Sequence, residues 1–143
     1  MKILLLALGF LAAAPALAAD AIWLTATVRS YHFDRGSQNE ANYGLGVEYA
    51  TSPRWTFAVG EYRNSRNHTT FYGFANWTPL QVGAVKLGAG VGGVTGYANS
   101  VSPVAHLLAA VEGKAVGANL VFFPPYGRNT TGVLGLQLKW RFQ

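Results

Sequence analysis

The feature that most constrains this chain is a strict alternation of apolar side chains with small or charged ones. Its clearest instance covers residues 43–50. The apolar set is Tyr43, Leu45, Val47 and Tyr49, and the alternating set is Gly44, Gly46, Glu48 and Ala50. Because successive side chains of a β-strand point to opposite faces, the pattern predicts a strand with one apolar face and one small or polar face.

Seven further segments show the same period of two and are separated by residues typical of turns. The predicted strands cover residues 22–34, 43–50, 55–62, 69–78, 84–96, 104–112, 115–123 and 132–142. Such a series, without helical periodicity, predicts an all-β fold. An even number of strands joined in sequence is typical of an up-and-down antiparallel barrel.

The position of the charges decides which face of the barrel is polar. Only 12% of the residues are charged, against about 25% in a typical soluble domain. The charges that share the parity of the small residues are Arg29, Glu48, Lys86, Lys139 and Arg141. The polar face is therefore predicted inside and the apolar face against lipid, as in an eight-stranded transmembrane β-barrel. A soluble lipocalin-like barrel, the alternative, needs the opposite arrangement.

The first residues read as a targeting segment. Lys2 precedes an apolar run at 3–14, and residues 16–18 read Ala-Leu-Ala, a small-x-small cleavage site. The run is too short for a helical membrane anchor, the alternative reading. We therefore predict a signal peptide at residues 1–18, a barrel domain at residues 19–143 and a location in a bacterial outer membrane.

Turn lengths and aromatic residues predict the orientation. The segments 51–54, 79–83 and 112–114 are short and are assigned to the periplasmic side, whereas 35–42, 63–68, 97–103 and 124–131 are longer and assigned to the outside. The aromatic residues predicted to form a girdle at one membrane interface are Trp23, Tyr49, Trp55, Trp77 and Trp140.

Two features bear on the interior. Glycines cluster at lumen-facing positions, among them Gly88 and Gly90, and either leave empty volume or only permit strong curvature. Pro103 opens strand 6 and Pro124 follows strand 7. Because proline cannot donate a ladder hydrogen bond, the prolines either leave a gap in the wall or merely mark the strand ends.

Several short motifs, in this order and spacing, are similar to those of the PagP-type lipid A palmitoyltransferases. They are Asn39-Glu40 before Gly44-x-Gly46, Arg63-Asn64-Ser65, Trp77-Thr78-Pro79-Leu80, Leu87-Gly88-Ala89-Gly90, Gly93-Val94-Thr95, Ser102-Pro103-Val104, Phe123-Pro124 and Trp140-Arg141-Phe142-Gln143. The resemblance runs from about residue 25 to the C-terminus. It implies an outer-membrane barrel that moves an acyl chain from a phospholipid to lipid A.

The resemblance also implies site residues. The family uses a His near the top of strand 1 and an Asp-Ser pair after strand 3. Here His32 is the nearest His, although a strict alignment places Thr27 there, and Asn64-Ser65 stands where the family has Asp-Ser. The family's acyl pocket ends at a small residue on strand 4, and Asn76 matches that position, which implies a shorter or blocked pocket.

Acyl transfer needs a base at the accepting hydroxyl and donors for an oxyanion. His32 shares the parity of Leu24 and is predicted to face lipid at headgroup level, with Asp34 orienting its ring. Asn64 and Ser65 are the candidate donors. The alternative for His32 is an ordinary interfacial histidine, and the alternative for Asn64 and Ser65 is a structural role in a tight loop.

Three functions remain open: a lipid acyltransferase, a non-catalytic lipid-binding or structural barrel, and a narrow pore. Against the pore, Arg29, Lys86 and Glu48 are predicted to pair across the interior and plug it. The residues predicted to bind substrate are Asp34, Gly88, Gly90, Asn76, Pro103 and Pro124. The expected partners are phospholipid and lipopolysaccharide, the protein is expected to be monomeric, and no nucleic acid, metal or cofactor is expected.

Overall fold

The computed structural model describes residues 21–34, 36–126 and 131–142, and within them eight antiparallel strands close into a barrel. The strands are β1 Ala21–His32, β2 Gly44–Ala50, β3 Trp55–Arg63, β4 Thr69–Val82, β5 Val85–Val94, β6 Ser102–Glu112, β7 Val116–Phe123 and β8 Val133–Arg141. Each strand pairs with the next, and β8 pairs with β1. The predicted fold class and strand order are confirmed.

Strand β4 is the main departure from the predicted boundaries. It continues through the predicted turn at 79–83 and ends at Val82, so that the turn to β5 is only residues 83–84. The register with β5 shifts between Trp77 and Leu80, which is a bulge that accommodates Pro79. Gly83 in the tight turn has φ 61°, a conformation that glycine adopts readily.

The connections differ in length at the two ends of the barrel. Segments 51–54, 83–84 and 113–115 lie at one end, called here the short-turn end. The longer connections lie at the other, the long-loop end, and their described residues are 33–34, 36–43, 64–68, 95–101, 124–126 and 131–132. The predicted signal peptide lies outside the described residues. Within the described ranges, no helix has the length and apolar character needed to cross a membrane.

The predicted sidedness of the strands is confirmed. Leu45 and Leu138 are 62% and 39% exposed on the outer face, whereas Glu48 and Lys139 are 2% and 1% exposed inside. The apolar residues that would form the core of a soluble barrel thus cover the outside, and charged residues occupy the interior.

A β-bulge in β1 reverses the predicted direction of two important side chains. Thr27 pairs with Gln137 and Arg29 with Leu136, so that Val28 is an extra residue in β1. Beyond the bulge the alternation is shifted by one. Arg29, predicted inside, is exposed on the outer face, and His32, predicted to face lipid, is buried inside.

Trp23 was wrongly assigned to the aromatic girdle. It shares the parity of Thr25, lies inside the barrel and is fully buried, with Lys139 Nζ 4.8 Å from the centroid of its ring. Trp55 and Trp77, by contrast, are exposed and stacked with centroids 6.2 Å apart. Trp140 is also exposed, and these tryptophans lie near the short-turn end.

Candidate functional site

The half of the lumen nearest the short turns contains a charged cluster, called here the ion layer. Its members are Glu48, Lys86, Glu112 and Lys139. Lys139 Nζ lies 2.8 Å from Glu48 Oε1 and 2.6 Å from Glu112 Oε1. Lys86 Nζ lies 2.5 Å from Glu112 Oε2. Two cations thus face two anions, which makes the layer formally neutral.

Charged residues were predicted to pair across the interior and plug it. The ion layer does cross the interior, but its ion pairs differ from the predicted ones. Glu48 and Lys86 take part as predicted, whereas Arg29 lies outside and Lys139 is the central cation. Asn119 Nδ2 also donates to Glu48 Oε2 at 2.8 Å. The interior of an eight-stranded barrel is only wide enough for its side chains, and these residues occupy it at this level.

Above the ion layer lies a cavity of about 520 Å³ that reaches the long-loop end. Its lower limit is formed by the polar side chains of Glu48, Asn76 and Asn119. The apolar and aromatic residues of its walls are Ala58, Tyr62, Tyr72, Phe74, Val94, Tyr97, Pro103, Val104, Leu108, Val121, Phe123, Pro124, Tyr126, Val133 and Leu136. A volume of this size is typical of small-molecule sites.

The glycines do not create this cavity. A Cβ on Gly90 would clash with the side chains of Asn76 and His106, and one on Gly46 would clash with the Tyr72 hydroxyl. A Cβ on Gly88 would clash with the β4 backbone at the Trp77 carbonyl. The space beside these inward glycines is thus occupied by neighbouring side chains and backbone. The interpretation in which the glycines leave empty volume is wrong.

His106 lies in the middle of the cavity wall. Its ring contacts Phe74 at a centroid distance of 4.7 Å and Phe123 at 5.3 Å. Its Nε2 lies 2.9 Å from Asn76 Oδ1, and its Nδ1 is buried without a hydrogen-bond partner among the described residues. Asn76, expected to limit the pocket, does lie at the lower limit, and it is held there by His106 and Thr56.

His32 lies at the mouth of the cavity. Its side chain is 6% exposed, and Nδ1 lies 3.7 Å from Glu40 Oε1. Glu40 Oε1 also accepts a hydrogen bond from the His32 backbone N–H at 3.0 Å. Nδ1 is buried without a hydrogen-bond partner in the described chain, and the Glu40 carboxylate lies beside it at ion-pair distance, beyond hydrogen-bond distance.

Asp34 does not take the role predicted for it. Its carboxylate is exposed and accepts hydrogen bonds from the Gly36 N–H and from Gln38 Nε2, both at 3.2 Å. It lines the outer rim of the cavity. Glu40 was missed as the carboxylate beside His32, although Asn39-Glu40 was part of the resemblance, because the path of the loop could not be read from the sequence.

Asn64 is completely buried at the centre of the loop 64–68. Its Nδ2 donates to Thr70 Oγ1 and to the Gly96 carbonyl, both at 3.0 Å. Its Oδ1 accepts from the backbone N–H groups of Arg66 at 2.9 Å and His68 at 3.0 Å. Both amide hydrogens are engaged, which leaves neither for an oxyanion and makes Asn64 an organiser of the loop.

The remaining polar groups of the mouth are arranged around this loop. Ser65 lines the cavity, and its carbonyl accepts the Asn39 N–H at 2.9 Å. Ser30 Oγ donates to Asn42 Oδ1 at 2.5 Å, and Asn42 Nδ2 donates to the Arg63 carbonyl at 2.8 Å. In the described ranges, no group of three or more His, Cys, Asp or Glu residues could hold a metal ion.

The barrel wall is interrupted between β6 and β7 at the long-loop end. The β6–β7 register ends at Leu107 paired with Phe122, so residues 102–106 of β6 have no β7 partner among the described residues. Pro103 lies in this stretch and Pro124 follows β7 directly. The Tyr126 hydroxyl takes the place of a strand partner by hydrogen bonding the Ala105 N–H, at 2.7 Å, and the Ala105 carbonyl.

The barrel is similar in fold to transmembrane β-barrels among the solved structures. A de novo designed transmembrane β-barrel aligns with a TM-score of 0.63 at 14% identity, covering 85% of this chain and 94% of its own. The fold is that of a transmembrane β-barrel. A second design, TMB2.3, gives a TM-score of 0.60 at 15% identity over 87% of this chain and 93% of its own.

A natural outer-membrane protein shares the fold. The N-terminal β-barrel domain of OprF from Pseudomonas aeruginosa aligns with a TM-score of 0.57 at 15% identity, covering 85% of this chain and 97% of its own. No protein-family model and no curated protein matches the sequence. At these identities the likeness concerns the fold, which is of the outer-membrane type.

Proposed function

We propose that this protein is an outer-membrane lipid acyltransferase similar to the PagP type. It would take one acyl chain of a phospholipid into its lumen and transfer it to a hydroxyl of lipid A or a related lipid. The observation that carries the proposal is the apolar cavity above the ion layer, with His32 at its mouth.

The shape and lining of the cavity suit a hydrocarbon chain. A chain that moves from the bilayer into this cavity keeps apolar surroundings, so its retention would depend on van der Waals packing against the walls. The polar end at Glu48, Asn76 and Asn119 would set the length of chain accepted. An ester group would then lie at the long-loop end, the end that carries His32.

The interrupted β6–β7 wall supplies a route from the membrane. A lipid tail cannot enter a barrel through a fully hydrogen-bonded wall without breaking its ladder. Residues 102–106 have no ladder bonds to β7 in the described chain, and the side chain of Tyr126 covers part of this stretch. A side chain can move aside at far lower cost than a strand.

The chemistry would follow general base catalysis. His32, oriented by Glu40, would remove the proton of the acceptor hydroxyl as its oxygen attacks the donor's ester carbon. The carbon–oxygen bond to the donor breaks, and the lysophospholipid oxygen takes up the proton. Ser65 would donate to the oxyanion, while Asn64 would hold the loop that carries Ser65.

The test is expression in a bacterial host that lacks its own lipid A acyltransferase, followed by mass spectrometry of lipid A and phospholipids. Wild-type protein should yield lipid A, or another lipid, heavier by one acyl group, together with lysophospholipid. His32→Ala should abolish the product. His68→Ala, a change of the exposed loop histidine, is the matched control and should retain it.

Lipid profiles that are the same for wild type and empty vector would refute acyl transfer. Full activity of His32→Ala would refute only the role of His32. Glu40→Gln should lower the rate, because it removes the carboxylate beside the imidazole.

A second candidate is a non-catalytic barrel that binds lipid. The saturated hydrogen bonds of Asn64 favour it, since they leave no amide hydrogen for a transition state. This candidate predicts phospholipid or lipid A retained in the purified barrel and no acyl transfer. Mass spectra of lipid extracted from the purified protein, combined with unaltered membrane lipids, would identify it.

A further inference from the structure

Arg29 is an exposed cation on the lipid-facing side of the barrel. The bulge at Val28 turns it outward, and no carboxylate among the described residues forms an ion pair with its guanidinium. A cation on this face of a barrel is unfavourable near the membrane midplane and tolerated near the interface. An unpaired guanidinium beside leucines is therefore available as a ligand for an anion.

The groove beside Arg29 is built from three neighbouring strands. Leu120 of β7 pairs with Leu136 of β8, which pairs with Arg29 of β1, and one row above, Leu134 pairs with Tyr31. All of these residues line the same groove on the outer face. The surface offers an apolar bed about two strands wide with a guanidinium at its edge.

The residues that follow Arg29 on the outer face of β1 are typical of a membrane interface. Tyr31 and Phe33, the next outward residues of β1, are 42% and 55% exposed aromatic side chains typical of an interface. Arg29 is therefore followed, toward the long-loop end of β1, by exposed aromatic side chains.

We propose that this groove binds one membrane lipid whose headgroup carries a phosphate, with Arg29 as the phosphate ligand and the leucines of β7 and β8 against an acyl chain. A guanidinium matches phosphate oxygens with two parallel hydrogen bonds. Glu40 also lines the groove, but its Oε1 faces the β1 backbone, where it accepts the His32 N–H.

This site does not depend on acyl transfer, although it adjoins the cavity inside the barrel. Arg29 and Leu136, together with Ser30, Gln38 and Gly135, border both the groove and the cavity, whereas Tyr31, Leu120 and Leu134 border the groove alone. A barrel without any enzymatic activity would still bind such a lipid, and failure of one proposal leaves the other standing.

The test is native mass spectrometry of the purified barrel released from detergent, titrated with phosphatidylglycerol or with diacylglycerol of the same chains. Wild type should retain phosphatidylglycerol in preference to diacylglycerol. Arg29→Gln should weaken phosphatidylglycerol binding about fivefold, the effect of one basic residue at an anionic membrane surface. Arg54→Gln, in the exposed turn 51–54 at the opposite end, is the matched control and should bind as wild type.

Equal binding by Arg29→Gln and Arg54→Gln, or equal retention of the two lipids by wild type, would overturn the proposal. Displacement of phosphatidylglycerol by millimolar inorganic phosphate alone would indicate a site for free anions and would also overturn it. Heat-dependent electrophoretic mobility verifies that each variant is folded. Arg29→Lys, which keeps the charge, should retain most of the binding and serves as the second variant if Arg29→Gln does not fold.

Discussion

Lys139 is the residue on which the interior depends most. Its ammonium bridges Glu48 at 2.8 Å and Glu112 at 2.6 Å, and both it and Glu48 are at least 97% buried at the side chain. Replacing Lys139 by Met preserves much of the volume and removes the charge. Glu112 keeps Lys86 as a partner, but Glu48 keeps only the amide of Asn119.

The expected loss of stability is set by the carboxylate left behind. Removing one partner of a buried ion pair costs about 3–5 kcal/mol, because the other charge stays buried without compensation. Lys139→Met should therefore lower the free energy of unfolding by about that amount. The contact of the ammonium with the Trp23 ring is lost as well and adds to the effect.

The assay is equilibrium urea unfolding of the barrel refolded into phospholipid vesicles, followed by tryptophan fluorescence. Lys114→Met, which removes an exposed lysine in the turn 113–115, is the control and should change stability by less than about 0.5 kcal/mol. Glu48→Gln combined with Lys139→Met should regain most of the loss, since no uncompensated carboxylate remains. A cost below about 1 kcal/mol for Lys139→Met, or a double variant with no recovery, would refute this reasoning.

Three further predictions concern the wall of the barrel. Because the chain has no cysteine, a spin label can be attached at one chosen position and its accessibility measured by electron paramagnetic resonance. A label at Tyr31→Cys should be accessible to oxygen dissolved in lipid, and one at His32→Cys should not. The opposite result would exclude the bulge in β1. Gly90→Ala should destabilise the barrel by about 1–3 kcal/mol in the same urea titration, because its Cβ meets Asn76, and an unchanged midpoint would contradict the tight packing. Tyr126→Phe removes the hydrogen bonds to Ala105 and should speed exchange of the Ala105 amide hydrogen, while unchanged exchange would show that the hydroxyl does not protect this part of β6.

The architecture was predictable because a strand repeats every two residues. Once Leu45 and Leu138 are assigned to the same face, Glu48 and Lys139 must face the other way, and the low charge content decides that the outside is apolar. The strand order follows from connections too short for any other topology. These properties require only local pattern and composition.

The direction of His32 and Arg29 was decided by tertiary structure. One extra residue, Val28, shifts the alternation of β1. The position of this bulge is fixed by the pairing of β1 with Gln137 and Leu136 of β8, and a single sequence therefore gives no reliable sign of it. The same limit hid Glu40, whose carboxylate reaches His32 across a loop.

The sequence by itself determined that this chain forms a barrel with an apolar exterior and a charged interior, since both depend on the period of the strand. Only the closed barrel decided that Lys139 bridges two glutamates, that Asn64 is saturated within its loop, and that a cavity remains above the ion layer. Each of these involves groups far apart in the chain, brought together by the closure of β8 on β1.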